Sequence, residues 1–122
     1  MTTPHDARAR GEAIERIAAS WLIKRGLKLR DSNQHSKGGE IDLVMQEGDT
    51  LVFVEVKHRT TARHGHPLET VTRTKQRRLI KAALFYLQRN RLSCPCRFDV
   101  LAVTGRAPTF DFHWVQGAFE AF

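Results

Sequence analysis

The apolar positions of this chain follow two different periods, and the switches between them mark its elements. From Gly39 to Arg59, two runs of β-type residues flank the polar turn Glu47-Gly48-Asp49-Thr50, the pattern of a β-hairpin. Symmetric pairing about that turn sets Gln46 opposite Leu51, Val44 opposite Phe53, Asp42 opposite Glu55 and Glu40 opposite Lys57. Strand side chains alternate between faces. Ile41, Leu43, Met45, Val52, Val54 and Val56 then form one wholly apolar face. The other carries Val44 and Phe53 near the turn and Glu40, Asp42, Glu55 and Lys57 at the far end.

Helical spacing appears on either side of the hairpin. Ile14, Ile17, Ala18, Trp21 and Leu22 predict a helix over residues 7–25, with Asp6 placed to cap it and Gly26 to stop it. Glu15 lies on the flank of that apolar stripe, within reach of a site beside the sheet, and Glu12 lies opposite it, in solvent. Leu79, Ile80, Ala83, Leu84 and Leu87 predict a second helix over 71–91. Its stripe, extended backwards, meets Gln76 near its centre, which points that amide toward the hairpin's polar end. Lys75, Arg77, Arg78 and Lys81 fall off the stripe and are expected to face outward.

The remaining segments are shorter. Residues 27–29 predict a brief strand, 30–38 a loop, and 58–70 a polar loop in which His64 and His66 are exposed and unligated. Residues 97–104 form a strand, 105–108 a turn and 109–115 an edge strand alternating Phe110, Phe112 and Trp114 with Asp111 and His113. Residues 118–122 are expected to close over the core as a turn of helix. The pattern contains no repeat and no low-complexity segment.

A length of 122 residues suits one domain, 1–122, with a core of its own. No apolar run approaches the roughly 18 residues of a membrane span, and no hydrophobic leader opens the chain. Cys94 and Cys96 are too close for a structural disulfide and too few for a zinc site, so free thiols in a reducing cytoplasm are expected. Net charge is +7, and it is unevenly spread. Residues 57–91 hold ten Lys and Arg against Glu69 alone, whereas the rest of the chain holds ten against twelve acids. So concentrated a basic block suits a polyanion.

Charge also changes how the hairpin reads. Residues directly opposed in a ladder hold their Cβ atoms roughly 4.5–5.5 Å apart, so Asp42 and Glu55 would repel each other unless a cation lay between them. Magnesium favours one or two carboxylates completed by water and substrate phosphate. Such an ion, or manganese, bound by Asp42 and Glu55 would polarise a phosphoryl oxygen and acidify the attacking water. Lys57, two residues beyond Glu55, would supply positive charge to the developing phosphorane. Glu15 could add a third ligand through water, with Gln76 as support. The competing explanation is an exposed hairpin end with a Glu40–Lys57 surface pair of little energetic value.

Gly39-Glu40-Ile41-Asp42-Leu43, followed by Val52-Phe53-Val54-Glu55-Val56-Lys57-x-Arg59, resembles the signature of the YraN-type family of small bacterial proteins. That family is itself similar to Holliday junction resolvases of the PD-(D/E)XK nuclease superfamily. Gly11-x-x-x-Glu15-x-x-Ala18-x-x-Trp21-Leu22, Asn33, Lys75-Gln76-x-x-Leu79 with Ala83, Tyr86 and Leu87, and Phe98-Asp99-Val100 extend the resemblance over nearly the whole chain. It departs at Ile14, where the family often has Gly, and at His35, where Arg is usual. The resemblance implies an α/β fold with a restriction-endonuclease-like core, a central mixed β-sheet flanked by α-helices. It also implies Asp42, Glu55 and Lys57 as a nuclease triad, with Glu15 as the acid on the first helix.

Together these point to a magnesium- or manganese-dependent endonuclease acting on DNA, branched or junction DNA included. Lys37, Arg59, Arg73, Lys75, Arg77 and Arg78 are the residues expected to meet the nucleic acid. A two-fold substrate would call for a homodimer. The rival is a nucleic-acid-binding module with little or no catalytic activity, and a weaker one a scaffold for an acidic protein partner.

Overall fold

The computed structural model describes residues 4–60 and 71–120. Five strands form one sheet in the order β1-β2-β3-β4-β5. They are β1 (Lys28–Ser36), β2 (Gly39–Glu47), β3 (Thr50–Arg59), β4 (Cys96–Arg106) and β5 (Thr109–Phe119), with α1 (Pro4–Ile23) before the sheet and α2 (Arg73–Arg89) between β3 and β4. All neighbours pair antiparallel except β3 and β4, which run parallel. A parallel pair needs a crossover, and the segment containing α2 supplies it.

Each helix covers its own face of the sheet. Ala18, Ala19 and Leu22 of α1 pack with Leu43, Met45, Val52, Val54, Leu101 and Val103. Leu79, Ala82, Ala83 and Tyr86 of α2 pack with Val44, Leu51, Phe53, Phe98 and Val100. Because both faces are covered, the central strands β3 and β4 read as nearly continuous apolar runs. This is the central mixed sheet flanked by helices of an α/β, restriction-endonuclease-like core. Thr72 opens α2 by accepting a 3.2 Å hydrogen bond from the Lys75 amide, and Gly26, at φ +101°, follows the end of α1.

Three segments differ from their expected form. β1 runs nine residues where a three-residue strand and a loop are predicted. It lies at the sheet's edge and carries a bulge between Leu29 and Asp31, so its exposed, polar side chains give no alternating pattern. β5 extends through Ala118 and Phe119, so those two residues lie in a strand, not a helical turn. Phe119 stacks on Phe98 at a centroid distance of 4.9 Å, which fastens the strand to the core. His64 and His66 lie outside the described residues.

Hairpin pairing follows the predicted register from Glu47–Thr50 to Leu43–Val54 and stops there. Beyond that point the alternation of β2 breaks. Ile41 is buried on the α2 side with Val44, whereas Leu43 and Met45 face α1. The single apolar face expected to contain Ile41 with Leu43 is therefore corrected. The break falls at Asp42, and Asn33, between the β1 residues that pair with Leu43 and Ile41, adopts φ +50°. Asn is among the few residues that enter the left-handed region readily.

Candidate nuclease site

The broken pairing decides where the acids sit. β3 leaves β2 after Val54 and continues beside β4 to Arg59. In the gap, Asp42 accepts a 2.8 Å hydrogen bond from the Val56 amide through Oδ2, taking over the role that a backbone carbonyl would play in a continued ladder. Asp42 lines a cleft of about 770 Å³ on the α1 side, along with Glu15, Ile14, Val56 and Phe110. Glu55 lines a different cleft, of about 450 Å³, on the α2 side. The two carboxylates thus border different clefts at the sheet's open end, where the regular ladder pairing expected of them has ended.

They still sense each other. The carboxyl of Asp42 is pushed up from 3.8 to about 8, first by burial and next by the negative charge of Glu55, with the Val56 hydrogen bond pulling the other way. Glu15 is also raised, chiefly by burial, while hydrogen bonding to Asn33 and Asp42 holds it back. Its Oε1 is buried and has no hydrogen-bond partner among the described residues. α1 therefore does bring Glu15 to Asp42, as its flank position predicted, and Glu12 stays exposed.

Lys57 reaches Oε1 of Glu55 at 3.2 Å, and both side chains are largely buried, at 11% and 14% exposure. Burial, and bonding to Lys75 after it, lower the Lys57 pKa despite the adjoining carboxylate. Lys75 approaches the same Glu55 oxygen at 3.7 Å. It is exposed, as its place off the stripe predicts, and it also borders the site. Periodicity alone could not show this, because a residue off a helix's core stripe can still border a groove at the helix edge.

One expectation is corrected. Glu40 does not pair with Lys57: it lies 3.3 Å from His35 Nδ1 across the β1–β2 hairpin, because the break at Asp42 takes it off the Glu55–Lys57 row. Gln76 donates from Nε2 to the Val71 carbonyl oxygen at 3.1 Å, a bond at the entrance of its own helix. Asn33 is the residue that sequence reasoning passed over: it bonds Glu15, and its αL tolerance was the available signal. Of the predicted nucleic-acid contacts, Lys75 and Arg78 line the Glu55 cleft. Lys37 lies in the adjoining β1–β2 turn, Arg59 ends β3, and Arg73 and Arg77 are exposed on α2.

The donor set suits a hard cation in its chemistry. The charges of Glu55 and Glu15 both act against ionisation of Asp42, and Glu15 keeps an orphaned buried oxygen; a divalent ion would relieve both problems. Among the described residues, no three His, Cys, Asp or Glu side chains already stand as a metal cluster. A two-carboxylate site completed by water and phosphate is what the residues fit.

A mixed sheet between two helices, with an Asp and a Glu-x-Lys at its open end, defines a chain of PD-(D/E)XK nuclease-like architecture. Residues 14–103 match the uncharacterised protein family UPF0102, and the chain belongs to that family. It is 63% identical over 118 residues to a UPF0102 protein of Chromohalobacter salexigens, covering 97% of this chain and 96% of that one. A UPF0102 protein of Nitrosococcus oceani is 42% identical over 119 residues, covering 96% of each chain. One from Aeromonas hydrophila is 43% identical over 116 residues, covering 93% of this chain and 86% of its own.

Proposed function

We propose that the protein is a metal-dependent endonuclease that hydrolyses phosphodiester bonds in DNA, with branched or junction DNA within its range. The observation that carries this is the convergence of Asp42, Glu55 and Lys57 where β2 and β3 part, beside a basic helix. Asp42 and Glu55 would hold Mg²⁺ or Mn²⁺, which when bound polarises the phosphoryl oxygen and acidifies water. Glu15 steadies Asp42. Lys57, buried against Glu55, orients the attacking water and offers positive charge to the phosphorane as the bond to the leaving oxygen breaks.

The test is a panel of linear, single-stranded, supercoiled and four-way-junction DNA in magnesium or manganese. Cleavage is expected, and Asp42→Asn, Glu55→Ala and Lys57→Ala each abolish it while leaving a folded protein. Folded wild-type protein that cuts none of the panel overturns the proposal.

A second reading has an observation of its own: two ammonium groups already occupy Glu55, and no three-ligand cluster stands among the described residues. On that reading the chain binds nucleic acid with little or no chemistry, and the triad variants bind as tightly as wild type. No described helix is long and apolar enough to cross a membrane. The free thiols of Cys94 and Cys96 suit the reducing cytoplasm proposed as its setting.

A further inference from the structure

Three cations recur along α2 at intervals of three residues: Lys75, Arg78 and Lys81, all exposed. A helix rises about 1.5 Å and turns about 100° per residue, which places them about 4.5 Å apart along the axis and spreads them over about 120° of one side. That side faces the β1–β2 turn. Lys75 and Arg78 line the Glu55 cleft together with Gly38 and Gly39. Lys81 lies along the same turn, its Cδ 3.9 Å from where a Cβ on Gly38 would stand. A Cβ on Gly39 would come within 2.2 Å of the Arg78 carbonyl oxygen, so glycine there is what lets the turn pack directly against α2 beside the cleft.

The cleft carries positive charge that its own acids do not use up. Lys57 and Lys75 share one oxygen of Glu55, and Glu40 is engaged by His35. Lys57 is held in place by burial, whereas Lys75 is 46% exposed on a flexible stem and free to turn toward a ligand in the cleft. Arg78 and Lys81 continue the row away from Glu55. A ligand with anions at regular spacing complements such a row, and the successive phosphates of a DNA strand are such a ligand. Long Lys and Arg side chains can reach them over a range of spacings.

We infer that Lys75, Arg78 and Lys81 seat three successive phosphates of one DNA strand, with Lys75 taking the phosphate nearest Glu55. This rests on the endonuclease proposal for its choice of DNA, and it narrows the basic block to one face of α2. Lys24, exposed just beyond the end of α1, the helix that covers the opposite face of the sheet, takes no part in the track.

The experiment is DNA binding by fluorescence anisotropy with a twelve-nucleotide single strand, in EDTA, across a range of salt concentrations. Each phosphate contact on single-stranded DNA contributes about 0.7 to the log–log salt slope. Lys75→Gln, Arg78→Gln and Lys81→Gln are each expected to reduce the slope by about that amount, and the triple variant by about 2. Lys24→Gln changes it by less than half as much as any one of them. The inference is overturned if Lys24→Gln matches the row variants, or if the row variants leave the slope unchanged. Because no metal is present, the outcome is independent of cleavage: binding that follows the row in a protein that cuts nothing removes the endonuclease proposal alone. Cleavage by a protein whose slope ignores the row removes this inference alone.

Discussion

Asp42 is the residue at which protonation and the proposed metal site meet. Its carboxyl, raised from 3.8 to about 8, keeps a proton in the folded protein that the unfolded chain releases. The contribution of Asp42 to the stability of the metal-free protein is therefore fully present below the ordinary carboxylate range and is lost as pH rises through about 8. Glu15, raised as well, adds to the same trend. Urea unfolding in EDTA should accordingly show a lower midpoint at pH 8 than at pH 5. Asp42→Asn, neutral throughout, should flatten much of that decline, and added magnesium should raise the wild-type midpoint at pH 8 but not that of the variant. A variant with an undiminished decline would place the proton elsewhere. Lys57 acts in the opposite sense in alkaline solution, because its lowered pKa makes the unfolded chain the better proton binder there.

Strands and helices are held in register by polar ties that do not coincide with the apolar clusters. Tyr86 of α2 donates to Asp31 and accepts from Arg30 at 2.9 Å, joining the helix to edge strand β1. Tyr86→Phe should cost about 1–2 kcal/mol in urea unfolding. Asp99, 1% exposed, gathers Arg97 at 3.1 Å, the Trp114 indole at 2.9 Å and the Gly117 amide at 3.0 Å, tying β4 to β5. Asp99→Ala leaves those donors without their acceptor and should cost about 3 kcal/mol, read the same way. At the β1–β2 turn, Gly39→Ala would press a methyl into the Arg78 carbonyl, forcing the turn and α2 apart. About 1–3 kcal/mol is expected, together with weaker DNA binding. Gly48→Ala, at φ +58° with nothing within 4 Å, is the control: about 1 kcal/mol from backbone strain and unchanged binding.

Across the whole molecule, net charge and fold act separately. The chain carries +7, drawn largely from the segment that ends β3 and forms α2, so its positive charge is concentrated in one part of the chain. Raising salt from 50 to 200 mM should weaken DNA binding strongly. It should leave the urea midpoint of the free protein at pH 7 almost unmoved, since the core is apolar and exposed pairs contribute little. Equal sensitivity of both would mean that the surface charges hold the fold together. The parallel β3–β4 pair makes the α2 crossover obligatory, which carries the basic helix across the sheet to the Glu55 side.

Much of this was legible from local pattern. Alternation and turn chemistry identified the hairpin and its register up to Leu43–Val54, and helical spacing identified both helices and the flank position of Glu15. Those features depend on neighbours within a few residues, which a linear pattern records. β1 was not legible as a full strand: an edge strand with exposed polar side chains is defined by its hydrogen bonds to β2, and those leave no apolar period. The parting of β2 from β3, the turn of Asp42 toward α1, and the approach of Lys75 to Glu55 were likewise decided only in three dimensions. Each follows from β3 exchanging one partner for another, so that the acids at its end take their positions from contacts distant in sequence.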